Sequence, residues 1–515
     1  DLLPPCNNAC PAGENIQAWL ELAQAEKFEE AWQVIMQDNP MPAVMGRVCY
    51  HPCEDGCNRT FIDSPVSIHA MERFLGDEAV MKNWQVKFDK KPGGKRVLVI
   101  GAGPSGLSAA YHLTRLGHTV EIHEAGPVAG GMMHFGIPAY RLPRNMLDQE
   151  VRRIEKMGVK IRLDRKVENV LKEQKAGSFD AVFIAVGAHL SKKIDIPGRD
   201  AGKILDAIGF LKQVEQGETP KIGRKVAIYG GGNTAMDAAR TAKRMGASEA
   251  TIIYRRDRKH MAAHEFEAQE AIEEGVKINW LLTIKAMDEE TFTVEVMRLE
   301  DGRPVGTGQF ETLEADTLIL AVGQDTDTGF LKSVPGIGFK EDGTVIVGPD
   351  MMTGRKGIFA GGDMVPSERS VTVAIGHGKK AARHIDGFLR EAPYKKPPKH
   401  PVVGYERLHL WYKTNAKKKE QAILPAEKRV EGFDEIKAGL SKEEALFESQ
   451  RCLSCGNCFE CDGCYGACPE DAILKLGPGN GYQYDFDRCT GCAICYEQCP
   501  CHAIEMIPEP QTKIS

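Results

Sequence analysis

Apolar residues at Ile16, Trp19, Leu20 and Ala23 recur at the spacing of one helical face, and this periodicity continues past cysteine-bearing turns from about residue 14 to 85. It predicts a small helical domain. The pattern changes around Lys91 to Lys95, where Pro92, Gly93 and Gly94 mark a linker and the unbroken run Val97 to Ile100 predicts a buried parallel strand. A second such run, Val226 to Tyr229, opens another unit. The segments AVGQDTDTGF and GIFAGGD that follow read as a return to the first unit, so one domain is expected to interrupt the other. The stretch SVTVAIGHGKKAARHI predicts a Gly-interrupted amphipathic helix, and KKPPKHPVV from Lys395 a stiff connector.

A chain of 515 residues is too long for one core and predicts three or four domains. The net charge of -6 is spread along the chain without a basic face, which argues against nucleic acid as a partner. No apolar stretch approaches the roughly 20 residues that cross a bilayer, and DLLPPCNNAC lacks the pattern of a signal peptide, so a cytoplasmic location is expected. The 16 cysteines change the picture most: five lie between Cys6 and Cys57, eleven between Cys452 and Cys501, and none in between. Their spacings match metal-cluster motifs better than the disulfide framework of a short secreted chain.

The first strand runs into Gly101, Gly103 and Gly106 of GAGPSG, then an Ala-rich helix, then the strand VEIHEA ending in Glu124. Glycines allow a tight turn and close approach to a pyrophosphate at a helix N-terminus, and an acid after the next strand accepts from ribose hydroxyls. The second unit carries Gly230, Gly232 and Ala235 in GGGNTAMD, and its following strand ends in Arg255 and Arg256 instead of an acid. A guanidinium pair suits the 2′-phosphate of NADP; an exposed basic turn is the plain alternative, which leaves NADH open.

The motifs GAGPSG, GGMMHFGIPAYRLP, AVGA, GGGNTAMD, YRR and GIFAGGD, in this order, resemble the small subunit of NADPH-dependent glutamate synthase and the matching domains of dihydropyrimidine dehydrogenase, over roughly residues 6 to 390. The resemblance implies FAD in the first site and NAD(P)H in the second. It carries a cofactor-contacting role to Pro104 and Ser105, to Gly131, Met132, Gly136 and Arg141, to Ala185 and Gly187, to Asn233 and Thr234, and to Gly323 and Gly362. It further implies that Asp363 bonds the flavin's ribityl chain and that a helix from Val373 points its N-terminus at the flavin ring. The disulfide-reductase branch of such flavoproteins uses a cysteine pair beside the flavin; with no cysteine between Cys57 and Cys452, electrons must leave another way.

Cys458, Cys461, Cys464 and Cys468-Pro469 form CxxCxxCxxxCP, and Cys489, Cys492, Cys495 and Cys499-Pro500 repeat it. In this two-cluster ferredoxin pattern the fourth cysteine of each motif serves the other cluster, which groups Cys458, Cys461, Cys464 with Cys499 and Cys489, Cys492, Cys495 with Cys468. The resembling families open their N-terminal cluster domain with a segment like RCLSCG, which here is missing from the N-terminus and stands instead at Arg451 to Gly456. The resemblance then implies one cluster on Cys452, Cys455, Cys6 and Cys57, and another on Cys10, Cys49, Cys53 and Glu72, completed within one chain or by a second protomer of a homodimer. Cys501 is left over, as a buried small apolar residue. Four 4Fe-4S clusters, about 16 irons, are expected.

The expected architecture is α/β multidomain: a helical iron-sulfur domain over 1–90, an FAD domain over 91–222 and 326–392 interrupted by an NAD(P)H domain over 223–325, a connector over 393–450, and an α+β bacterial-ferredoxin domain over 451–515. The expected function is an NAD(P)H:acceptor oxidoreductase passing electrons to or from a redox protein. The appended ferredoxin leans the partner toward dissimilatory sulfite reductase, and so toward sulfur metabolism. A 2-oxoacid oxidoreductase, a glutamate synthase-like complex, free ferredoxin, or a non-enzymatic electron-storage role are the alternatives.

Overall fold

The computed structural model describes residues 2–89, 94–192, 194, 196, 197, 203–288, 290–411 and 413–508; Pro92 and Gly93 of the expected linker lie outside these. In the N-terminal region, helices Ile16–Gln24, Phe28–Ile35, Pro42–Val48 and Ile68–Met81 pack around the fully buried Trp19 and Trp32, and two short helices, Pro5–Ala9 and Pro52–Asp55, carry cysteines. This core is continuous with that of the first sheet. Glu150, fully buried on the Arg144–Lys156 helix, accepts from the Ala43 and Val44 N–H groups (3.1 and 3.0 Å), capping the Pro42–Val48 helix from across the interface.

The first sheet is parallel, in the order Ile358–Ala360, Ala181–Ile184, Arg96–Ile100, Thr119–His123, Lys160–Arg162. The late arrival of Ile358–Ala360 makes this unit enclose the other. The second sheet, also parallel, runs Ile204–Asp206, Thr317–Leu320, Lys225–Tyr229, Glu249–Tyr254, Lys277–Trp280. It thus starts upstream of the boundary expected at 222/223. A three-residue edge strand is too short to leave a periodicity. A three-stranded antiparallel sheet, Leu282–Met287, Thr291–Glu300 and Arg303–Glu314, completes this unit.

The expected connector is bound along the N-terminal region. Leu3 N–H donates to the Pro401 carbonyl (2.8 Å) and Val403 N–H to the Leu3 carbonyl (3.1 Å), while Glu435 pairs with Arg47 (2.7 Å) and Arg73 (3.0 Å). A helix with a capping box, Lys442–Gln450, leads into the last region. There, helices Gly463–Ala467 and Ile494–Gln498 pack on each other beside the ribbon Ile473–Lys475/Tyr482–Tyr484. Among the described residues no helix is long and apolar enough to cross a membrane.

Candidate redox-cofactor sites

The first strand delivers Gly101 at φ +102°, where a Cβ would stand 2.4 Å from the Ala185 carbonyl oxygen, so backbone packing at the end of the Ala181–Ile184 strand requires glycine. At Gly103, by contrast, a Cβ would meet nothing within 4 Å, which leaves an open face at the start of the Pro104–Arg115 helix. The buried Ser105 hydroxyl has no hydrogen-bond partner there. Gly362 comes against Ser105, and a Cβ on Gly131 would lie 2.9 Å from the Gly103 Cα, so GIFAGGD and GGMM converge on this turn. Glu124 accepts from the Ala102 and Gly126 N–H groups, each at 2.7 Å, and braces the loop. Met132 opens the short helix closed by Gly136, and Gly187 (φ +68°) follows the Ala181–Ile184 strand. Burial pushes the Asp363 carboxyl up to about 6, against the pull of Arg369. The Val371–Leu389 helix starts two residues ahead of Val373, whose N–H donates to Oγ of the cap Ser370 (3.2 Å). An open glycine face, a buried unpartnered hydroxyl and an acid at the strand end fit FAD.

In the second unit Gly230 (φ +149°) packs on the Ala321 carbonyl and Gly232 is open. Asn233 accepts from the His264 N–H (3.0 Å) and donates to the Tyr50 hydroxyl (2.6 Å), whose ring stacks on His264 at 3.7 Å. Thr234 receives the Gln324 amide at 3.5 Å, and Gly323 (φ +111°) lies against Lys192. Arg255 is exposed beyond its strand, and Arg256 has a buried Nε without a partner. Arg141 is held by the protein's own carboxylates. Its buried guanidinium donates to both oxygens of Asp237 (2.8 and 2.7 Å) and to Glu267 (2.5 Å). Two carboxylates of the second unit take up its charge, so it ties the two units together.

The N-terminal thiols fall into two groups. Cys6, Cys57, Cys452 and Cys455 line one small cavity with Leu20, Val66 and Ile68. The RCLSCG segment therefore reaches this site within the same chain. Arg451, 2% exposed, holds it there through Glu448 (2.9 Å), Asp63 (3.1 Å) and the Ser64 and Pro65 carbonyls. Burial first, then the neighbouring thiols, pushes Cys455 up to about 12, and burial pushes Cys452 up to about 11. Such a set gives up protons when a cation arrives. In the second group, Cys10 and Cys49 lie in the field of Glu72, and Cys53 in that of Cys49 and Cys10. Glu72 is 6% exposed on the Ile68–Met81 helix, and burial next to Glu14 holds its carboxyl well above the usual range. The Asn39 amide donates to Glu72 (2.6 Å) and Glu14 (3.1 Å).

One local device recurs three times. In the helices Pro5–Ala9, Gly463–Ala467 and Ile494–Gln498, a cysteine is the second residue and another (Cys10, Cys468, Cys499) follows the last in extended conformation, at ψ 117°, 114° and 110°. The proline after each second cysteine disfavours helix at that residue. The two cysteines of a pair thereby take different backbone conformations, one helical and one extended. The helix pairs correspond too: Pro5–Ala9 packs on Pro52–Asp55 as Gly463–Ala467 packs on Ile494–Gln498. In the last region Cys458 and Cys464 feel Cys499 and Cys461, and Cys495 feels Cys489 and Cys492. The Ala472 and Ala503 N–H groups donate to Cys468 and Cys499 sulfur at 3.3 and 3.2 Å.

Several contacts carry no sequence signal. Thr372, on the helix at the flavin site, donates to Cys49 sulfur (3.1 Å), and Asn58 donates to Cys455 sulfur (3.5 Å). Gly456 N–H donates to the Cys501 carbonyl (2.6 Å), linking the RCLSCG segment to the end of the second ferredoxin motif. Glu14, four residues after Cys10, could have been suspected from its place in CPAGE.

Comparison with known proteins supports this reading. Residues 85–378 match the pyridine nucleotide-disulphide oxidoreductase family, residues 3–84 the 4Fe-4S cluster domain II of dihydropyrimidine dehydrogenase, and residues 482–505 a 4Fe-4S binding domain. The NADP(+)-dependent formate dehydrogenase subunit beta of Moorella thermoacetica is 34% identical, over 88% of this chain and 70% of its own length. The NADPH-Fe(3+) oxidoreductase subunit beta of Geobacter sulfurreducens is 34% identical, over 88% and 75%. Among solved structures, FprA from Mycobacterium tuberculosis matches 58% of this chain and 85% of its own at TM-score 0.51 and 17% identity, a likeness of fold.

Proposed function

Because the chain belongs to the pyridine nucleotide-disulphide oxidoreductase family, as an FAD- and iron-sulfur-dependent NAD(P)H oxidoreductase without that family's dithiol, we propose that it passes electrons between NADPH and a protein partner through four 4Fe-4S clusters in a fixed order. Bound FAD would supply the exchange between a two-electron hydride and single electrons, and the clusters the one-electron steps. The residues supply the order. Thr372 ties the flavin helix to Cys49, so the set Cys10, Cys49, Cys53 and Glu72 stands first. The set Cys6, Cys57, Cys452 and Cys455 follows, and Cys455 lies three residues from Cys458 of the next. That adjacency, made by moving one CxxC to the far end of the chain, is the observation that carries the proposal. Exposed Cys489 and Cys492 then face the partner.

Arg255 and Arg256 favour NADPH by the geometry of a phosphate clamp. Relatives named for formate dehydrogenase and for iron(III) reduction favour a metal-containing reductase or dehydrogenase subunit as partner, and lend nothing to dissimilatory sulfite reductase in particular. With the N-terminal site completed inside one chain, a homodimer is not required, and we place the protein in the cytoplasm. Anaerobic mixing with NADPH or NADH tests the reading. Flavin bleaching that is faster with NADPH, in protein carrying about 16 irons, is the expected result; no bleaching with either nucleotide would leave only an electron-storage module. An anaerobic pull-down separates a formate dehydrogenase-like partner from a sirohaem protein.

A further inference from the structure

We propose that Cys501 is a reserve ligand for the cluster assigned to Cys458, Cys461, Cys464 and Cys499, an inference that rests on the cluster reading above. Cys501 is 2% exposed and its sulfur lies 3.8 Å from that of Cys499. Cys499 is already grouped with Cys458, Cys461 and Cys464, so Cys501 is a fifth thiol beside a set of which a cubane takes four. A cysteine that merely filled space would direct its sulfur at hydrocarbon. This one is held on the ligand set from both sides, by Gly456 N–H on its carbonyl (2.6 Å) and by His409 N–H on the Pro500 carbonyl (3.1 Å). The twin motif is the internal control. There the residue after Cys468-Pro469 is the exposed Glu470, with no thiol.

While Cys499 ligates, its sulfur carries no proton, so Cys501 is the one of the pair whose S–H can donate across the 3.8 Å between them. In a chain where residue 499 offers no sulfur, Cys501 would supply the fourth thiolate to the cluster in its place. The Cys501 proton goes to solvent, and no electrons change hands.

The test compares the parent with Cys499→Ala, Cys501→Ala, the double variant and Cys468→Ala, all purified anaerobically, with flavin absorbance as the check on folding. Cys499→Ala is expected to keep the parent's iron with an altered paramagnetic line shape for one cluster, and Cys501→Ala to keep it with the parent's line shape. The double variant and Cys468→Ala should each lose about four irons. Loss of those irons from Cys499→Ala alone, before and after anaerobic reconstitution with iron and sulfide, would overturn the proposal, as would their retention in the double variant. A parent that itself lacks ferredoxin-type signals would instead sink the underlying cluster reading.

Discussion

The two cysteine-rich ends of the chain use the same short helix closed by a cysteine and a proline, yet they differ in what surrounds it. At the C-terminal site every expected ligand comes from one compact segment, and Cys458, Cys461, Cys489 and Cys492 are exposed. At the N-terminal site the ligands come from both ends of the chain, none is exposed, and Arg451, Arg59 and Asp63 are bound into the junction. A locally built, exposed site can trade electrons with a partner, since solvent access and sulfur hydrogen bonds set cluster potentials. A buried site spliced from two distant segments instead fixes a route, because its irons can form only when both segments are in place.

The sharpest way to break this comparison is to remove the spliced half. Cys452→Ser/Cys455→Ser is expected to lose about four irons, while the ferredoxin signals persist after chemical reduction; metal analysis and paramagnetic resonance check it. Next in size is the junction itself. Arg451→Met leaves the fully buried Glu448 carboxylate without its cation, while Asp63 keeps Arg59 (2.9 Å); this should cost about 3–5 kcal/mol in denaturant unfolding and empty the N-terminal site before the C-terminal one.

How much of this was legible in sequence depended on how local each feature is. The glycine loops, Glu124 and the doubled ferredoxin motif were readable because strand, turn and spacing lie within one stretch of chain. The strand Ile204–Asp206 is not legible because an edge strand of three residues carries no period, and the ion pairs of Arg141 are not legible because its partners Asp237 and Glu267 lie about a hundred residues away. The Thr372 contact with Cys49 and the Gly456 contact with Cys501 are likewise long-range, and only the folded chain reveals them.

Two smaller effects lie outside the cluster regions and should leave both iron sites unchanged, which sharpens the contrast. In the flavin-free protein, burial raises the folded-state Asp363 carboxyl to about 6, above its unfolded value of about 3.9. A raised carboxyl favours folding only while protonated, so its contribution is full below pH ~4 and is lost as pH rises through about 6. Asp363→Asn should therefore stabilise the flavin-free chain near pH 7 by up to about 3 kcal/mol and not at pH 4, as read from urea midpoints. Arg255→Ala/Arg256→Ala should raise KM for NADPH about tenfold, a loss of about 1.4 kcal/mol, and leave KM for NADH near its parent value; equal effects on both would remove the phosphate-clamp role.

In the proposed route, electrons from the nucleotide reach the exposed clusters by way of the spliced site. Rapid-freeze paramagnetic resonance after anaerobic mixing with NADPH, on the parent and on Cys452→Ser/Cys455→Ser, tests it most directly. Flavin bleaching should survive in the variant while its ferredoxin signals stay silent until a chemical reductant is added. Ferredoxin reduction by NADPH at the parent rate in a variant lacking those irons would contradict it.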